Sequence, residues 1–389
     1  MKSDKAVTSR EGHRRFHVIP SICTPHSSSR VARQSPPPPT TSFSLGTPLC
    51  VMTTIDPEPL VSEHFGEGNG LAHCATLGVF VVSTFDGTLH VVKTPVVGTR
   101  VAMECLYTLG GPSSKPPMKF NFSELDNSGR VAFTGPPHRR RLLVVENLRN
   151  LVHVIDVVGK VHEGYLAEAG IIQGPVGIAA TESMVAVSAW KYYHQRDHVV
   201  HLFGGDGDKW TRIHMLKIGF GAPGSADGQL HCPHGVRFTA DGTEVVVADS
   251  NNHRVSAFCV EDGTFVRHVT TQVRYPWDVE EWDGGWMVIS WETREIKFVH
   301  NGAMRQAPLD LDTQRMLGAP CATALVPGLG LLVRTRFCGG GVFAFATYDT
   351  IAMAGMSANR VGWMVAVARC ALARGRVTGG RARKSRKTA

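Results

Sequence analysis

The sequence lacks long apolar runs and the common motifs of catalysis. No 18 consecutive residues are both apolar and uncharged, so we predict no membrane-spanning helix. No apolar segment follows the basic residues of the N-terminus, which argues against a secretory signal. The motifs of zinc proteases, P-loop proteins and serine hydrolases are also missing. These absences favour a non-catalytic protein, for which we predict no cofactor and no bound metal.

The cysteines show no pattern of pairing. There are nine of them, an odd number, and no two form a C-x-x-C pair. Regular pairs would be needed for a disulfide framework or a cysteine zinc site. Most of these cysteines stand beside apolar segments, where a thiol behaves as a small apolar group. We therefore predict an intracellular, reducing location, with the cytoplasm as the first expectation and the nucleus or an organelle as alternatives.

The positive charge of the chain lies at its two ends. Residues 1–50 carry seven Lys or Arg against two acids and residues 360–389 carry nine and no acid, so the net charge of +8 leaves −6 between them. A mildly acidic body argues against a general surface for polyanions. We predict a disordered, low-complexity segment over 1–58 and a basic tail over 359–389, which could begin with a short helix. The N-terminal segment also resembles an organelle transit peptide, and Met52 is an alternative start.

Between these ends the sequence repeats itself six times. Each copy has an anchor of the pattern Pro-x-small-apolar or a weaker form of it, an apolar strand that ends in a small hydroxyl or an acid, a polar turn and a second apolar strand. The clear anchors begin at Pro175, Pro233, Pro276 and Pro320, at intervals of 58, 43 and 44 residues. The weaker anchors, without proline, lie at Gly70 and Arg130. A unit this small cannot bury its own faces, so the copies predict a β-propeller over 59–358.

The fourth copy has the most complete pattern. Between Asp227 and Phe258 it has a Gly-Gln lead-in, a Pro-x-Gly-Val anchor, an Asp-Gly turn, Ala-Asp-Ser, Asn-His-Arg-Val and a closing Phe. In this pattern it resembles an NHL repeat. The resemblance implies an all-β, six-bladed NHL-type β-propeller, which agrees with the repeat count, and we expect a monomer. A WD-type propeller is the alternative, since Trp277-Asp278 and Trp282-Asp283 occur. In that family the dipeptide closes a strand, whereas Trp277 follows an anchor proline at a strand start.

Candidate binding residues follow from the propeller fold. Propeller ligands usually lie over the central axis, against the turns before the innermost strands and the turns that join the second and third strands. The first set of turns contributes His234 and Trp277. The second set contributes Arg149, Trp190, Tyr192, Tyr193, His194, Arg196, Asn252, His253, Arg254, Trp291 and Arg294.

Some of these candidates also have a structural interpretation. Trp190 and Tyr192 would cover the neighbouring blade if they do not contact a ligand. Asn252 and Arg254 would satisfy the backbone of their turn and pair with Asp249. Exposed Trp, Tyr and Arg are the residues enriched at binding hot spots, so all of these residues are candidates for ligand binding.

The histidines do not predict a zinc site. His90, His153 and His201 occupy the same position of three units, about 10 Å outside the innermost strands, so we expect outward positions on half-exposed strands. His234 resembles a zinc ligand of the lyase that completes peptide amidation, a propeller similar to NHL proteins. Val176 and Trp277 stand where further ligands would be needed, and a catalytic zinc requires three protein ligands.

The sequence is compatible with three functions. The first is a scaffold whose face binds a protein or peptide. The second is RNA binding or a role beside a ubiquitin ligase, as the resemblance to tripartite-motif NHL proteins implies, although the Cys/His spacing of RING and B-box domains is missing. The third is a propeller lyase or lactonase.

Overall fold

A computed structural model describes residues 61–95, 103–122, 129–168, 170–191, 194–205, 210–305, 317–327, 329–336 and 341–346. These residues form 24 strands, which we number β1 to β24 in chain order, and two short 3-10 helices at Pro137–Arg139 and Ser250–Asn252. The strands group into six antiparallel sheets of four strands each. Both predicted tails lie outside the described residues.

Five sheets, or blades, consist of four consecutive strands, the first of which is the innermost and the last the outermost. Blade 1 is β2 Leu71–Cys74, β3 Val79–Ser83, β4 Thr88–Lys93 and β5 Cys105–Gly110. Blade 2 is β6 Val131–Thr134, β7 Arg141–Glu146, β8 Leu151–Asp156 and β9 Val161–Tyr165. Blade 3 is β10 Pro175–Ala180, β11 Met184–Lys191, β12 His194–Gly205 and β13 Trp210–Gly221. Blade 4 is β14 Pro233–Phe238, β15 Glu244–Asp249, β16 Arg254–Cys259 and β17 Phe265–Thr270. Blade 5 is β18 Pro276–Trp282, β19 Gly285–Ser290, β20 Glu295–His300 and β21 Ala303–Arg305.

Blade 6 joins the two ends of the propeller. Its inner strands are β22 Pro320–Val326, β23 Gly330–Thr335 and β24 Gly341–Ala346, and its outermost strand is β1, Val61–His64. β1 pairs with β24 in antiparallel register, from Val61 opposite Ala344 to His64 opposite Gly341. The innermost strands contact one another in a closed ring, β2, β6, β10, β14, β18, β22 and back to β2. The fold is therefore the six-bladed β-propeller that the repeats predict.

The core lies between the blades. Six clusters of buried apolar side chains each combine residues of two adjacent blades, one cluster for every interface in the ring. Strands β3, β7 and β19 are buried along their whole length, because a neighbouring blade covers each face. This is why the sequence has continuous apolar runs there rather than alternation.

One prediction about the third strands is wrong. His153 and His201, expected to be outward and half-exposed, are 1% and 3% exposed. His153 lies within 2.8 Å of Glu146 (Nε2 to Oε2), and the ring of Phe120 packs edge-on against it at 5.0 Å. Side chains of the adjacent loop and strands thus cover a position that the repeat pattern alone would leave in water. His90 is the member of the set that stays half-exposed.

Within the described residues, no helix has the length and apolar character needed to cross a membrane.

Trp277 is the second residue of β18, at the strand start that the sequence predicts, and not at its end.

Candidate functional site

The six innermost strands all begin at one end of the propeller axis, which we call the top face. The x residue of each anchor stands there, and we call these the anchor positions: Asn69, Gly129, Val176, His234, Trp277 and Cys321. Equivalent hydrogen bonds fix the register of the weak copies. Ser83 donates to the carbonyl of Gly129 in the next blade, as Ser188 donates to the carbonyl of His234.

A second set of equivalent residues lies at or just after the end of the second strand of each blade: Phe85, Asn147, Trp190, Ser250, Trp291 and Arg336. In four blades the backbone N–H of this residue donates to the carbonyl of the residue two places before the anchor position, for example from Trp190 to Gly174 and from Trp291 to Tyr275. The two sets therefore meet at the top face.

Four predicted site residues form one stack across the top of the axis, which we call the axial aromatic cluster: Trp190, His234, Trp277 and Trp291. Their ring centroids are separated by 5.3 Å, 4.3 Å and 4.6 Å in that order. The middle rings, His234 and Trp277, are only 5% and 6% exposed. The outer rings, Trp190 and Trp291, are partly exposed. The cluster thus leaves parts of its two outer rings accessible to solvent above two buried rings.

Two arginines pack against this cluster. The guanidinium of Arg336 lies 5.1 Å from the ring centroid of Trp291 and 5.4 Å from those of Trp277 and Phe85, within cation–π range. The guanidinium of Arg130 lies 6.0 Å from the ring of Trp277. Neither arginine can be recognised as a site residue from the sequence. Each belongs to a copy with a weak repeat pattern and stands at a position where no other copy has arginine.

Burial and these arginines determine the charge of His234. Burial, followed by the positive charges of Arg130 and Arg336, lowers the pKa of His234 to about 3. The imidazole is therefore neutral near pH 7 and packs as an aromatic ring. Within the part of the chain that the structure describes, no group of three or more His, Cys, Asp or Glu side chains is arranged to hold a metal ion.

A buried ion pair crosses the axis below the cluster. Arg130 Nη1 lies 2.9 Å from Asp278 Oδ1, and both side chains are at most 6% exposed. Arg130 also donates to the carbonyls of Trp277 and Cys321 at 3.3 Å and 3.4 Å. Arg130 and Asp278 stand at the small-residue position of the second and fifth anchors, and these blades face each other in a ring of six. Two opposite charges three units apart are the sequence signal that would have found this pair.

A surface pocket of about 400 Å³ lies beside the cluster and is lined by Tyr275, Trp291, Glu292 and Arg294. Glu292 Oε2 is paired with Arg274 Nε at 3.1 Å. Arg294 is exposed and forms no hydrogen bond or ion pair with any residue that the structure describes. The predicted residue His253 supports the pocket wall, since its Nδ1 accepts a hydrogen bond of 3.1 Å from the backbone N–H of Tyr275. The pocket therefore combines two aromatic walls with an available cation.

The family model described as NHL repeat matches residues 230–258, which are the first three strands of blade 4 and the residues just before them. Together with the six-bladed ring, this match identifies the family. The chain is an NHL-repeat β-propeller.

Comparison with solved structures agrees with this fold. The NHL-repeat propeller is similar to a gluconolactonase, XC5397 of Xanthomonas campestris, with 12% sequence identity, a TM-score of 0.52, and coverage of 77% of this chain and 96% of that chain. A nidogen/laminin complex also matches, with 13% identity, a TM-score of 0.43, and coverage of 63% of this chain and 81% of that one. At such identities the likeness concerns the fold alone. No curated protein matches the chain.

Two other predicted residues, Arg254 and Asn252, form hydrogen bonds within blade 4 of the NHL-repeat propeller. Arg254 is 7% exposed and donates to Asp249 Oδ2 at 2.8 Å and to the carbonyls of Ser225 and Gln229 at 2.7 Å and 2.8 Å. The Asn252 amide donates to the same Asp249 oxygen at 2.8 Å. The pairing with Asp249 that their structural interpretation predicts is therefore present.

The long turn of blade 3 gives less information about the site. Tyr192 and Tyr193 lie outside the described residues, and His194 and Arg196 are described only as backbone of β12. Their contact with a ligand stays a prediction. Trp190, at the start of the same turn, packs against His234 of the next blade, as its structural interpretation predicts.

Proposed function

We propose that this NHL-repeat propeller is a non-catalytic scaffold that binds a protein or peptide segment through its top face. The observation that carries the proposal is the pocket of Tyr275, Trp291 and Arg294 beside the axial aromatic cluster. Trp, Tyr and Arg are the residues that contribute most binding energy in protein interfaces. In this propeller they stand together at the end of the axis, where propellers commonly place their ligands.

The packing behind the pocket supports binding with little ordering cost. Trp291 stacks on Trp277 at 4.6 Å, and Trp277 stacks on the buried ring of His234. Side chains that are already immobilised lose little entropy when a ligand binds. The free guanidinium of Arg294 suits a ligand carboxylate, because charge-assisted hydrogen bonds from Arg to carboxylate are strong and directional. We therefore expect a segment that places an aromatic or aliphatic side chain and a nearby acid in the pocket.

The chemistry at the axis supports a non-catalytic role. His234, with a pKa of about 3, is a poor general base near pH 7. Burial raises the pKa of the Cys321 thiol to about 11, so it is not a thiolate nucleophile. A lyase or lactonase reaction would need a better-placed acid or base than either of these anchor residues.

The test is affinity capture from cell lysate with the full chain as bait, with and without ribonuclease. Partners that survive ribonuclease, and that Arg294→Ala and Trp291→Ala both weaken by about tenfold or more, support the proposal. Arg267→Ala is the matched control, since Arg267 is exposed like Arg294 and lies on the outer strand β17. Partners lost with the RNA would instead favour RNA binding, in which aromatic and Arg side chains stack on bases.

A further inference from the structure

A second cavity lies on the axis at the end opposite to the top face. It has a volume of about 300 Å³ and is lined by residues of all six blades that lie two to five places after the anchor positions, on or just after the innermost strands. We call it the lower axial cavity. Ten of the fifteen residues that line it are apolar, among them the partly buried Phe133 and Phe238, but the surface they leave accessible is slightly more polar than apolar. Small-molecule sites are typically apolar concavities of this size or larger with a few polar groups that converge.

One charged pair projects into this cavity from adjacent blades. Arg237 Nε lies 2.7 Å from Glu280 Oε2, and the other guanidinium nitrogens donate to the carbonyls of Val236 at 3.1 Å and Thr323 at 3.2 Å. Arginine has five N–H groups, so two of them make no hydrogen bond to any described residue, and neither does Glu280 Oε1. The side chains of Arg237 and Glu280 are 22% and 17% exposed. Donors and acceptors of the pair are thus available to the cavity that both residues line.

A third polar group comes from the opposite side of the ring. His73 of β2 also lines the lower axial cavity, and its imidazole makes no hydrogen bond within the described part of the chain. Burial lowers the pKa of His73, so the ring is neutral near pH 7. A neutral imidazole has one N–H donor and one acceptor nitrogen.

The charges of the cavity balance one another. The carboxylates of Glu280 and Asp278 outweigh the effect of burial and raise the pKa of Arg237, while burial raises the pKa of Glu280. Asp278, 3.9 Å from Arg237, already pairs with Arg130 at 2.9 Å. A ligand with a full charge would find no unpaired counter-charge here and would pay for its desolvation. Neutral groups that both donate and accept hydrogen bonds fit this environment.

We propose that the lower axial cavity binds a small neutral molecule with adjacent hydroxyl groups, of the polyol or monosaccharide class. One hydroxyl accepts from the free N–H groups of Arg237 and donates to Glu280 Oε1, and another hydroxyl bonds to His73. The C–H face of a six-membered ring packs on the apolar wall near Phe133 and Phe238. The volume of the cavity, about 300 Å³, limits the ligand to a single ring.

The test titrates myo-inositol and glucose into the full chain by calorimetry, with ligand-detected NMR for weak binding. Saturable binding of at least one of them is expected, and Glu280→Gln should weaken it at least tenfold, because an amide replaces a charged acceptor and keeps the side-chain shape. Glu281→Gln is the matched control. Glu281 is the next residue of β18, accepts a hydrogen bond from Ala240 N at 2.8 Å and does not line the cavity. Its substitution should leave the affinity unchanged.

A second variant tests whether the ligand lies in the lower axial cavity, without changing any polar group there. Ala180→Leu adds three carbons to the cavity wall and should abolish binding of the same probes while the melting temperature stays within a few degrees. Absence of saturable binding by the unaltered chain, or binding that both Glu280→Gln and Ala180→Leu leave unchanged, overturns the proposal. Equal or tighter binding of cyclohexanol, which has one hydroxyl, contradicts the ligand class. The capture experiment at the top face is independent, since none of these residues lies there.

Discussion

Gly235 shows how closely two innermost strands approach each other at the top face. A Cβ at Gly235 would lie 2.3 Å from Asp278 Oδ1 and 2.7 Å from the Asp278 Cα. Asp278 cannot move away freely, because it is held by Arg130 at 2.9 Å. We expect Gly235→Val to lower the free energy of unfolding by about 3 kcal/mol or more, or to prevent folding. Urea denaturation followed by circular dichroism measures this.

Gly242 provides the control for that substitution. It lies in the turn before β15 with φ of 71°, and nothing would lie within 4 Å of an added Cβ. Asn tolerates this left-handed conformation better than other residues with a side chain. Gly242→Asn should therefore cost less than about 1 kcal/mol. A similar loss for both variants would show that crowding against Asp278 is not the cause.

The neutral ring of His234 should make stability depend on pH. Its pKa is about 3 in the folded protein, against 6.5 for an ordinary histidine. Between these values only the unfolded chain binds the proton, so the free energy of unfolding falls as the pH decreases below 6.5. Between pH 7.5 and pH 5, this proton uptake by His234 in the unfolded chain lowers the free energy of unfolding by about 2 kcal/mol.

His234→Phe tests this contribution of His234 to the pH dependence of stability, because Phe keeps the stack with Trp277 and cannot bind a proton. Between pH 7.5 and pH 5, the unaltered protein should lose about 2 kcal/mol more than the variant in urea denaturation. His198, whose pKa burial and His231 lower to about 4, contributes equally to both proteins and cancels. An identical pH dependence of the two proteins would contradict the assignment.

Between elements, the ion pair of Arg130 and Asp278 connects the innermost strands of opposite blades. Removal of Arg130 leaves the buried carboxylate of Asp278 with only the more distant guanidinium of Arg237, at 3.9 Å. We expect Arg130→Met to lower the free energy of unfolding by about 3–5 kcal/mol. The measurement is urea denaturation at pH 7.5, with the exposed pair of Lys93 and Glu104 as reference. Lys93→Met should change stability by less than about 1 kcal/mol.

The double variant Arg130→Met/Asp278→Asn distinguishes the charge from the packing. It removes both charges at nearly constant volume, and paired replacement of a buried ion pair is often neutral. It should therefore be more stable than Arg130→Met alone. If the double variant is the less stable of the two, the loss comes from the shape of the Arg130 side chain and its hydrogen bonds to Trp277 and Cys321.

The strands themselves were the easiest elements to predict. Runs such as Val245–Val247 are apolar at every position, and the structure buries them between blades 4 and 5 and between blades 3 and 4. The third strands show where the pattern fails. His153 and His201 occupy equivalent repeat positions with His90, yet only His90 is half-exposed, because cover by Phe120 and by outer strands differs from blade to blade.

At the scale of the whole molecule, β1 closes the ring. It supplies the outer strand of blade 6 by pairing with β24, so residues near the two ends of the described chain share one sheet. A chain shortened to begin at Met52 keeps β1 and should retain the melting temperature of the full chain. A chain that begins at Gly66 lacks β1 and should melt at a temperature lower by about 10 °C or more. Equal melting temperatures for the two would show that β1 is dispensable.

The sequence by itself determined the fold class, the number of blades and the turns that reach the top face. These properties follow from local patterns, since each repeat unit carries its own anchor, apolar strand and turn, and six such units bury one another only in a ring. The same patterns placed Trp190, His234, Trp277 and Trp291 in turns near the axis.

Only the tertiary structure decided which of these residues meet. Arg130 and Trp277 are 147 residues apart in the sequence and become neighbours because the ring places blades 2 and 5 on opposite sides of one axis. The stacking of Arg336 on Trp277 and Trp291, the lower axial cavity and the closure by β1 also depend on that geometry. Repeat periodicity defines the residues that point toward the axis, whereas ring closure and the packing of individual side chains determine their distances, their charges and the surfaces left for a ligand.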